Sequence, residues 1–540
     1  MAPETTKRDW RFWMIFLCLF LSQFLTALEL TAVSTALPTI VNVLHGDQFI
    51  WIASAYTICS TALAPLSGGL AEVFGRKIVM FASILLFAAG SAICGASTSL
   101  NMLIAGRAVQ GMGSGSISTM CQIILADLVP LRERGMFSGL ISLSYTVANS
   151  TGPVVGGSLA QHGQWRWIFY LNIPICGCAA ALVLGFLTLQ TPAGAFGEKI
   201  ARIDWIGNSL VMAATTSTMI GLTLGGIQYP WTSAHILVPL ILGIAGLAAF
   251  IIYEVIFPKQ PIVPYTLMTT RTAFSGYLQT VVLFTVSICV SYYMPVFFQA
   301  TEDASPIASG VDIFGIAFVL APSAILSGLS IRKTQQYRPQ IIFAWVLTIV
   351  GFGLFTTLHA NTSRAHAIGF QIIAGVGIGM LSTSLFFPIL APLPVESNAH
   401  AIALYTFFRN FSNILGVTIG GSVLQNFLKK NLPSDFSSTF PGGAAIAYSI
   451  IPRIPSLQEP LKTEVRTAFA ESLRVLWQVM LGVSGMGWLI SLTMKGLPLR
   501  TELDRKWGVR DDKNQTIKVQ DEEVQDSKEL TAVQVVDSAA

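Results

Sequence analysis

The feature that most restricts this chain is a succession of apolar runs, each about 20 residues long, joined by mostly short polar connections. A helical run of that length covers a hydrocarbon core about 30 Å thick. Lipid offers backbone amides no partner, so a spanning segment must be a helix or a strand of a closed barrel. The runs are continuous and not alternating, which selects helices. Charge density agrees. Only 11% of residues are charged, against about 25% in soluble domains, so most of the surface does not face water. The expected fold class is an all-α polytopic membrane protein.

About fourteen spans are expected, beginning near Phe12, Ile50, Ile78, Asn101, Met136, Ile168, Trp205, His235, Ala273, Ile307, Gln340, Ala365, Ile402 and Ser472. One set of connections carries nearly all the Lys and Arg, among them Arg76, Lys77, Arg132, Arg134, Arg332 and Lys333. The opposite set, as far as the twelfth run, carries only Arg166 and Arg364. The positive-inside rule then puts both termini in the cytoplasm. The expected organisation is a cytoplasmic tail at 1–11, a six-helix bundle at 12–190 and a linker with two inserted spans at 191–260. A second six-helix bundle follows at 261–496, with an external loop at about 427–471. Residues 497–540, charged and poor in aromatics, read as a disordered cytoplasmic tail.

Two bundles are suggested by an internal repeat. Gly111-Met-Gly113-Ser-Gly115 recurs as Gly375-Val-Gly377-Ile-Gly379, and Gly152-Pro-Val-Val-Gly156-Gly157 recurs as Gly416-Val-Thr-Ile-Gly420-Gly421. Both copies are 264 residues apart, 111 to 375 and 152 to 416. Paired halves are the general plan of secondary transporters, with the substrate site between them near the midplane.

Several classes are disfavoured. All seven cysteines lie in apolar runs, so no structural disulfide is expected. The net charge of +4 is not clustered, so nucleic acid is not an expected partner. No G-x-x-x-x-G-K-[ST] loop, metal-ligand cluster or nucleophile motif is present, so the chain reads as no enzyme, with no cofactor and no direct ATP coupling. The first run lacks an evident cleavage site and reads as an uncleaved anchor.

The residues that carry mechanism sit in four motifs. The connection after the second run reads Gly68-Gly-Leu-Ala-Glu72-Val-Phe-Gly75-Arg76-Lys77. Its glycines permit a tight turn, and Glu72, Arg76 and Lys77 can form a charge cluster that breaks when two halves rock. In the fourth run, Arg107, Gln110 and Gly111 share a helix face. An Arg at midplane depth costs at least about 2.5–3.5 kcal/mol, so it must face an interior or snorkel from a span end. The fifth run has Gly152-Pro153-Val-Val-Gly156-Gly157, where Pro153 deprives the carbonyl of Asn149 of its usual partner. The small residues allow close helix approach. In the first run, Glu29 is an intramembrane carboxylate, either a proton carrier or a wet residue at the outer edge. Such a group, balanced between desolvation and a nearby Arg, can load and release protons.

These motifs resemble those of the major facilitator superfamily. Gly68–Lys77 resembles G-x-L-a-D-r-x-G-r-[rk], with Glu72 for Asp and Val73 for Arg. Gly152–Gly157 resembles the G-P-x-x-G-G of antiporters. Leu28-Glu29-Leu-Thr through Ala36-Leu-Pro38, with Glu29 where Asp is usual, and Trp165-Arg-Trp-Ile-Phe-Tyr-Leu-Asn172-Ile-Pro174 resemble the drug:proton antiporter branch with fourteen spans. Within that branch, Gly226-Ile-Gln-Tyr229-Pro230-Trp231 and Pro261-Ile-Val-Pro264 resemble fungal efflux pumps for toxins and secondary metabolites. The Trp165–Pro174 string reads as structural, an interfacial aromatic belt with an Arg anchor. The resemblance implies a major facilitator fold that exports a small amphipathic molecule against protons. The expected partners are substrate, protons and lipid, with the chain monomeric. Glu29 and Arg107 are then the coupling pair, and Gln110, Asn149 and Arg409 the substrate-cavity residues. Gly68, Glu72, Gly75, Arg76, Lys77, Gly152, Pro153, Gly156 and Gly157 form the gate and hinge. Arg409 reads equally as an inter-helix polar contact. The expected location is the plasma membrane, with a vacuolar or vesicular membrane as the alternative. The rival functions are uptake or vacuolar loading of a cationic nutrient such as a basic amino acid, and a non-transporting membrane sensor.

Overall fold

The computed structural model describes residues 9–44, 50–188, 196–226, 229–257, 262–264, 266–394, 397–433 and 451–499. In chain order the helices are α1 (Trp10–Leu44), α2 (Ile50–Phe74), α3 (Arg76–Gly95), α4 (Leu100–Leu128), α5 (Leu131–Gln161), α6 (Arg166–Tyr170) and α7 (Asn172–Phe186). Then come α8 (Phe196–Ala201), α9 (Trp205–Leu224), α10 (Ala234–Ile256), α11 (Thr266–Thr269), α12 (Arg271–Thr301), α13 (Pro306–Asp312) and α14 (Phe314–Thr334). The last are α15 (Arg338–Phe355), α16 (Arg364–Ser384), α17 (Phe386–Leu390), α18 (Asn398–Asn431) and α19 (Leu461–Leu492). Polar side chains close several starts: Ser99, Asp204, Thr270 and Ser305 each accept from a backbone amide of the first turn.

Three rods are built from successive helices (α6 with α7, α13 with α14, α16 with α17), and α8 and α11 are short, so among the described residues fourteen long rods lie along the apolar runs. Among the described residues, ten are long and apolar enough to cross a membrane. The other four, α4, α5, α9 and α18, are diluted by Gly, Ser, Thr and Asn. α4 shows why that is tolerated: it is buried along almost its whole length, so neighbouring helices, not lipid, receive its polar groups.

The repeated glycines make the same neighbour relations twice. Gly111 and Gly115 of α4 lie against Tyr56 and Ser60 of α2, and Gly113 against Phe87 of α3. In the second half Gly375 and Gly379 of α16 lie against Ile316 and Leu320 of α14, and Gly377 against Thr348 of α15. Likewise Gly152 and Gly156 of α5 rest on Thr31 and Ala32 of α1, while Gly416 and Gly420 of α18 rest on Thr285 and Tyr293 of α12. Absent side chains set these approach distances.

The two halves meet along α5 with α14 and α2 with α18. Gly135 packs on Gly328, Gly139 on Ile325, and a Cβ on Gly68 would lie 2.7 Å from Ala403 Cβ. α9 bridges the same seam: Met219 clusters with Ile58 and Ile414, and the Leu222 carbonyl accepts from Thr418 Oγ1 at 3.2 Å. α10 turns outward, leaving Ile241, Leu242 and Ile252 61%, 63% and 59% exposed. That apolar face fits a lipid boundary.

Some boundaries differ from expectation, among them the start of α5 at Leu131 in place of Met136. The connection expected at 427–471 is shorter at both ends, because α18 continues to Asn431 and α19 begins at Leu461. Lys462, Glu464 and Arg466 make the start of α19 look like loop. They lie beside buried Val465, Ala468 and Phe469 on one amphipathic helix. Within that connection residues 434–450 lie outside the described residues, as do the tails at 1–8 and from 500.

Candidate functional site

A charged cluster lies inside the first bundle. Glu29 on α1 and Arg107 on α4 are each 1% exposed, and Arg107 Nη1 donates to Glu29 Oε1 at 2.6 Å. Arg107 Nε donates to the Ile52 carbonyl of α2 at 2.9 Å, and Nη1 also reaches Gln110 Oε1 at 2.7 Å. The guanidinium lies 4.3 Å from the Tyr56 ring centroid. The second carboxylate oxygen of Glu29 accepts from the Asn172 side-chain amide of α7. Gln110 in turn donates to Ser91 Oγ of α3 at 2.8 Å. A buried charge is tolerated only when paired and hydrogen-bonded, and five helices converge to do that here.

This geometry sorts the sequence readings. Glu29 is not at a wet edge, and Arg107 does not snorkel. Gln110, expected in a substrate cavity, is instead fully buried between α3 and α4. A position one turn from Arg107 on the same face is claimed by that cluster. Asn172 was missed: the string Trp165–Pro174, read as purely structural, supplies a carboxylate partner. Its signal was an Asn inside an apolar run. The belt reading also fails in part, since Trp165 is 1% exposed and Trp167 56%. Arg166 nonetheless anchors, donating to the Ser97 carbonyl at 3.0 Å.

The loop after α2 is built differently from the expected cluster. Gly75, at φ 89°, makes the sharp turn into α3. Arg76 is buried, and its Nε donates to Asp127 Oδ2 of α4 at 2.9 Å and its Nη1 to the Ala71 carbonyl. Lys77 Nζ reaches the Leu184 carbonyl of α7 at 2.8 Å. Glu72 pairs with neither; its Oε1 lies 3.0 Å from His400 Nδ1 of α18, across the seam. A second cross-seam pair joins Glu133 of α5 to Arg332 of α14 at 3.1 Å. Glu72 lies in the last turn of α2, on a face that meets α18, whereas Arg76 and Lys77 begin α3 beyond the Gly75 turn. Asp127 and His400 carry no motif of their own in the sequence.

At the hinge motif, a Cβ on Gly156 would collide with the Ala32 carbonyl and Thr35 Oγ1, and one on Gly152 with Thr31. Gly157 is half-buried, and the side chain of Pro153 lies outside the described residues. Arg409 sits half-buried on α18, its guanidinium 4.8 Å from the Tyr145 ring of α5 and 5.1 Å from Phe284 of α12. Asn149, one turn beyond Tyr145, is exposed. Among the described residues no group of His, Cys, Asp and Glu could hold a metal ion.

Comparison with known proteins fits this architecture. Residues 19–417 match the profile of the Major Facilitator Superfamily. The chain is 37% identical over 530 residues to the efflux pump FUS6 of Gibberella fujikuroi, covering 96% of each chain. It is 36% identical over 518 residues to the MFS-type efflux pump LUC4 of Fusarium sp, covering 94% of this chain and 92% of that protein. It is 35% identical over 514 residues to the acurin A biosynthesis cluster MFS-type transporter of Aspergillus aculeatus, covering 93% of each. In fold it resembles the proton:xylose symporter XylE, with a TM-score of 0.56 at 12% identity over 91% of this chain and 97% of the other. With bundles, seam and buried pair in place, the chain belongs to the major facilitator superfamily, a multi-pass membrane transporter whose relatives are named as efflux pumps and transporters of fungal metabolite clusters.

Proposed function

We propose that this transporter exports a small amphipathic organic compound, such as a toxin or secondary metabolite, in exchange for protons. The reading places it, as a monomer, in the plasma membrane with both termini cytoplasmic. The observation that carries it is the fully buried Glu29–Arg107 pair, with Asn172 on the second carboxylate oxygen. Export uphill needs an energy source, and no phosphate-binding loop is present in the sequence. A proton crossing 100 mV releases about 2.3 kcal/mol, while tenfold accumulation costs about 1.4 kcal/mol. One proton therefore sustains at least about a tenfold gradient.

In this reading Glu29 takes a proton from the outer side. The neutral acid no longer neutralises Arg107, whose guanidinium keeps only the Ile52 carbonyl, Gln110 and the Tyr56 ring. The bundle then favours a packing in which Arg107 is differently partnered, the halves rock about α2–α18 and α5–α14, and Glu29 releases its proton to the cytoplasm. Gly152 and Gly156 couple α5 to α1, the helix that carries Glu29.

The test uses everted membrane vesicles with an imposed pH gradient. The tracer is the compound lost from the medium of a deletion strain, identified by metabolite profiling. Wild type should accumulate it, and a protonophore should abolish accumulation. Glu29→Gln keeps the shape but cannot release a proton; it should exchange the compound passively and fail to concentrate it. Wild-type accumulation by the variant would remove Glu29 from the mechanism, and indifference to the protonophore would remove proton antiport.

A further inference from the structure

Arg409 differs from Arg76 and Arg107 in what holds it. Arg76 and Arg107 each have a carboxylate within 2.9 Å. Among the described residues no Asp or Glu carboxylate lies within ion-pair distance of Arg409. Aromatic residues hold it instead: Tyr145 from the first bundle, whose hydroxyl also accepts a hydrogen bond from the guanidinium, and Phe284 from the second. A cation–π contact occupies the face of a guanidinium. The five N–H donors lie in its plane, in a fork matched to a carboxylate.

The surroundings extend the same chemistry. Tyr405, one turn before Arg409, lies 6.2 Å from Phe284 and 4.2 Å from Phe386, forming a continuous aromatic wall. The Tyr145 hydroxyl is held by the Gln23 side-chain amide, which also donates to Thr26 Oγ1 at 3.0 Å. Tyr145 is thus fixed on α1 and α5 while Arg409 and Phe284 belong to the opposite half. The group sits on the seam, where the proposed exporter must bind its cargo.

We propose that Arg409, backed by Tyr145 and Phe284, recognises the acidic oxygen of the exported compound, so that the cargo class is amphipathic organic anions, carboxylates or enolates on a flat unsaturated body. This rests on the export reading for its physiological meaning, but binding itself does not depend on proton coupling. The guanidinium takes the anionic oxygen through its in-plane donors, and the aromatic wall takes the body by stacking. Because the site is shared between halves, a bound anion also ties Tyr145 to Arg409 across the seam.

The experiment uses the purified full chain in phosphatidylcholine nanodiscs, without any ion gradient. The probes are 1-pyrenebutyrate and its methyl ester, read by fluorescence, with empty nanodiscs correcting for lipid partition. Wild type should bind the acid at least tenfold more tightly than the ester. Arg409→Met should bring the two within twofold by losing the acid, and Arg409→Lys should retain part of the preference, as a point charge without the fork. Equal affinities in wild type would overturn the proposal without recourse to any variant. So would an undiminished preference in Arg409→Met that unfolds at the wild-type temperature. Since no gradient is applied, a failure of proton antiport in vesicles leaves this result standing, and a failure here leaves proton antiport untouched.

Discussion

Glu72 of α2 and His400 of α18 face each other at 3.0 Å across the seam between the two halves, at the end of the molecule where α2 turns into α3. Glu133 and Arg332 make a parallel contact between α5 and α14. In the proposed rocking motion these pairs would separate as this end opens. Each pair is partly exposed and worth about 0–1 kcal/mol. Together they shift a two-state equilibrium by at most about thirtyfold. The double variant Glu72→Gln with Glu133→Gln should therefore raise maleimide labelling of Ile325→Cys, which packs on Gly139 in the seam, in a background lacking the native cysteines. Unchanged labelling would mean that the pairs do not hold the seam.

The buried pair should respond non-additively. Arg107→Met leaves Glu29 buried without its cation, a situation that costs about 3–5 kcal/mol. Glu29→Gln with Arg107→Met together remove both charges and should recover much of that loss. Thermal unfolding of the single and double variants measures it. Losses that simply add would exclude direct coupling of the two side chains.

Glycine positions should divide by what lies opposite. Gly156→Ala drives a methyl into the Ala32 carbonyl and Thr35. Overpacking of this kind costs about 1–3 kcal/mol, and transport should fall with it. Gly485→Ala in α19 meets nothing within 4 Å, so it should leave transport and unfolding temperature intact. Equal tolerance at both sites would refute a packing role for the α1–α5 contact.

Acid sensitivity is expected just past the C-terminal end of α12. Asp303 accepts from Lys462 at 2.8 Å and from Arg466, both on α19. Partial burial pushes its carboxyl upward, but those two cations outweigh it and hold it below the ordinary carboxylate value. The folded state therefore binds fewer protons than the unfolded one. The stability this adds is present at neutral pH and disappears as pH falls through the folded-state value. Asp303→Asn should lower stability at pH 7 by on the order of 1 kcal/mol or less, about one degree in unfolding temperature for a chain of this size, and by progressively less below about pH 4. A penalty that persists undiminished in acid would show that the contact is steric.

Sidedness is tested with epitope tags. A tag at Gly443, between α18 and α19, should be accessible on intact cells, and one at Asp526 only after permeabilisation. Tail accessibility without permeabilisation would reverse the orientation drawn from the Lys and Arg distribution.

Much of the architecture was legible because membrane spans are a one-dimensional property. Run length and backbone hydrogen-bond demand dictate helices, and most rods begin within a few residues of the predicted position. Two starts shifted further, at Leu131 and Leu461, where charged residues extend an amphipathic helix beyond the apolar stretch that announces it. The repeated glycines were likewise legible, since close approach requires small residues whatever the neighbour.

Pairing was not legible in the same way. Glu29 and Arg107 are 78 residues apart, and Asn172 is 143 from Glu29. Composition marked each as costly to bury, and the family pattern named the first two, but nothing local specified the third. Glu72 was assigned to Arg76 and Lys77 because they adjoin it in sequence. Tertiary packing gave Arg76 to Asp127 and Glu72 to His400, because a side chain near a helix end bonds to whatever helix its face meets. Which residues are charged, small or apolar is written in the chain. Which of them meet depends on how the rods turn their faces to one another, a choice made by packing between helices distant in sequence.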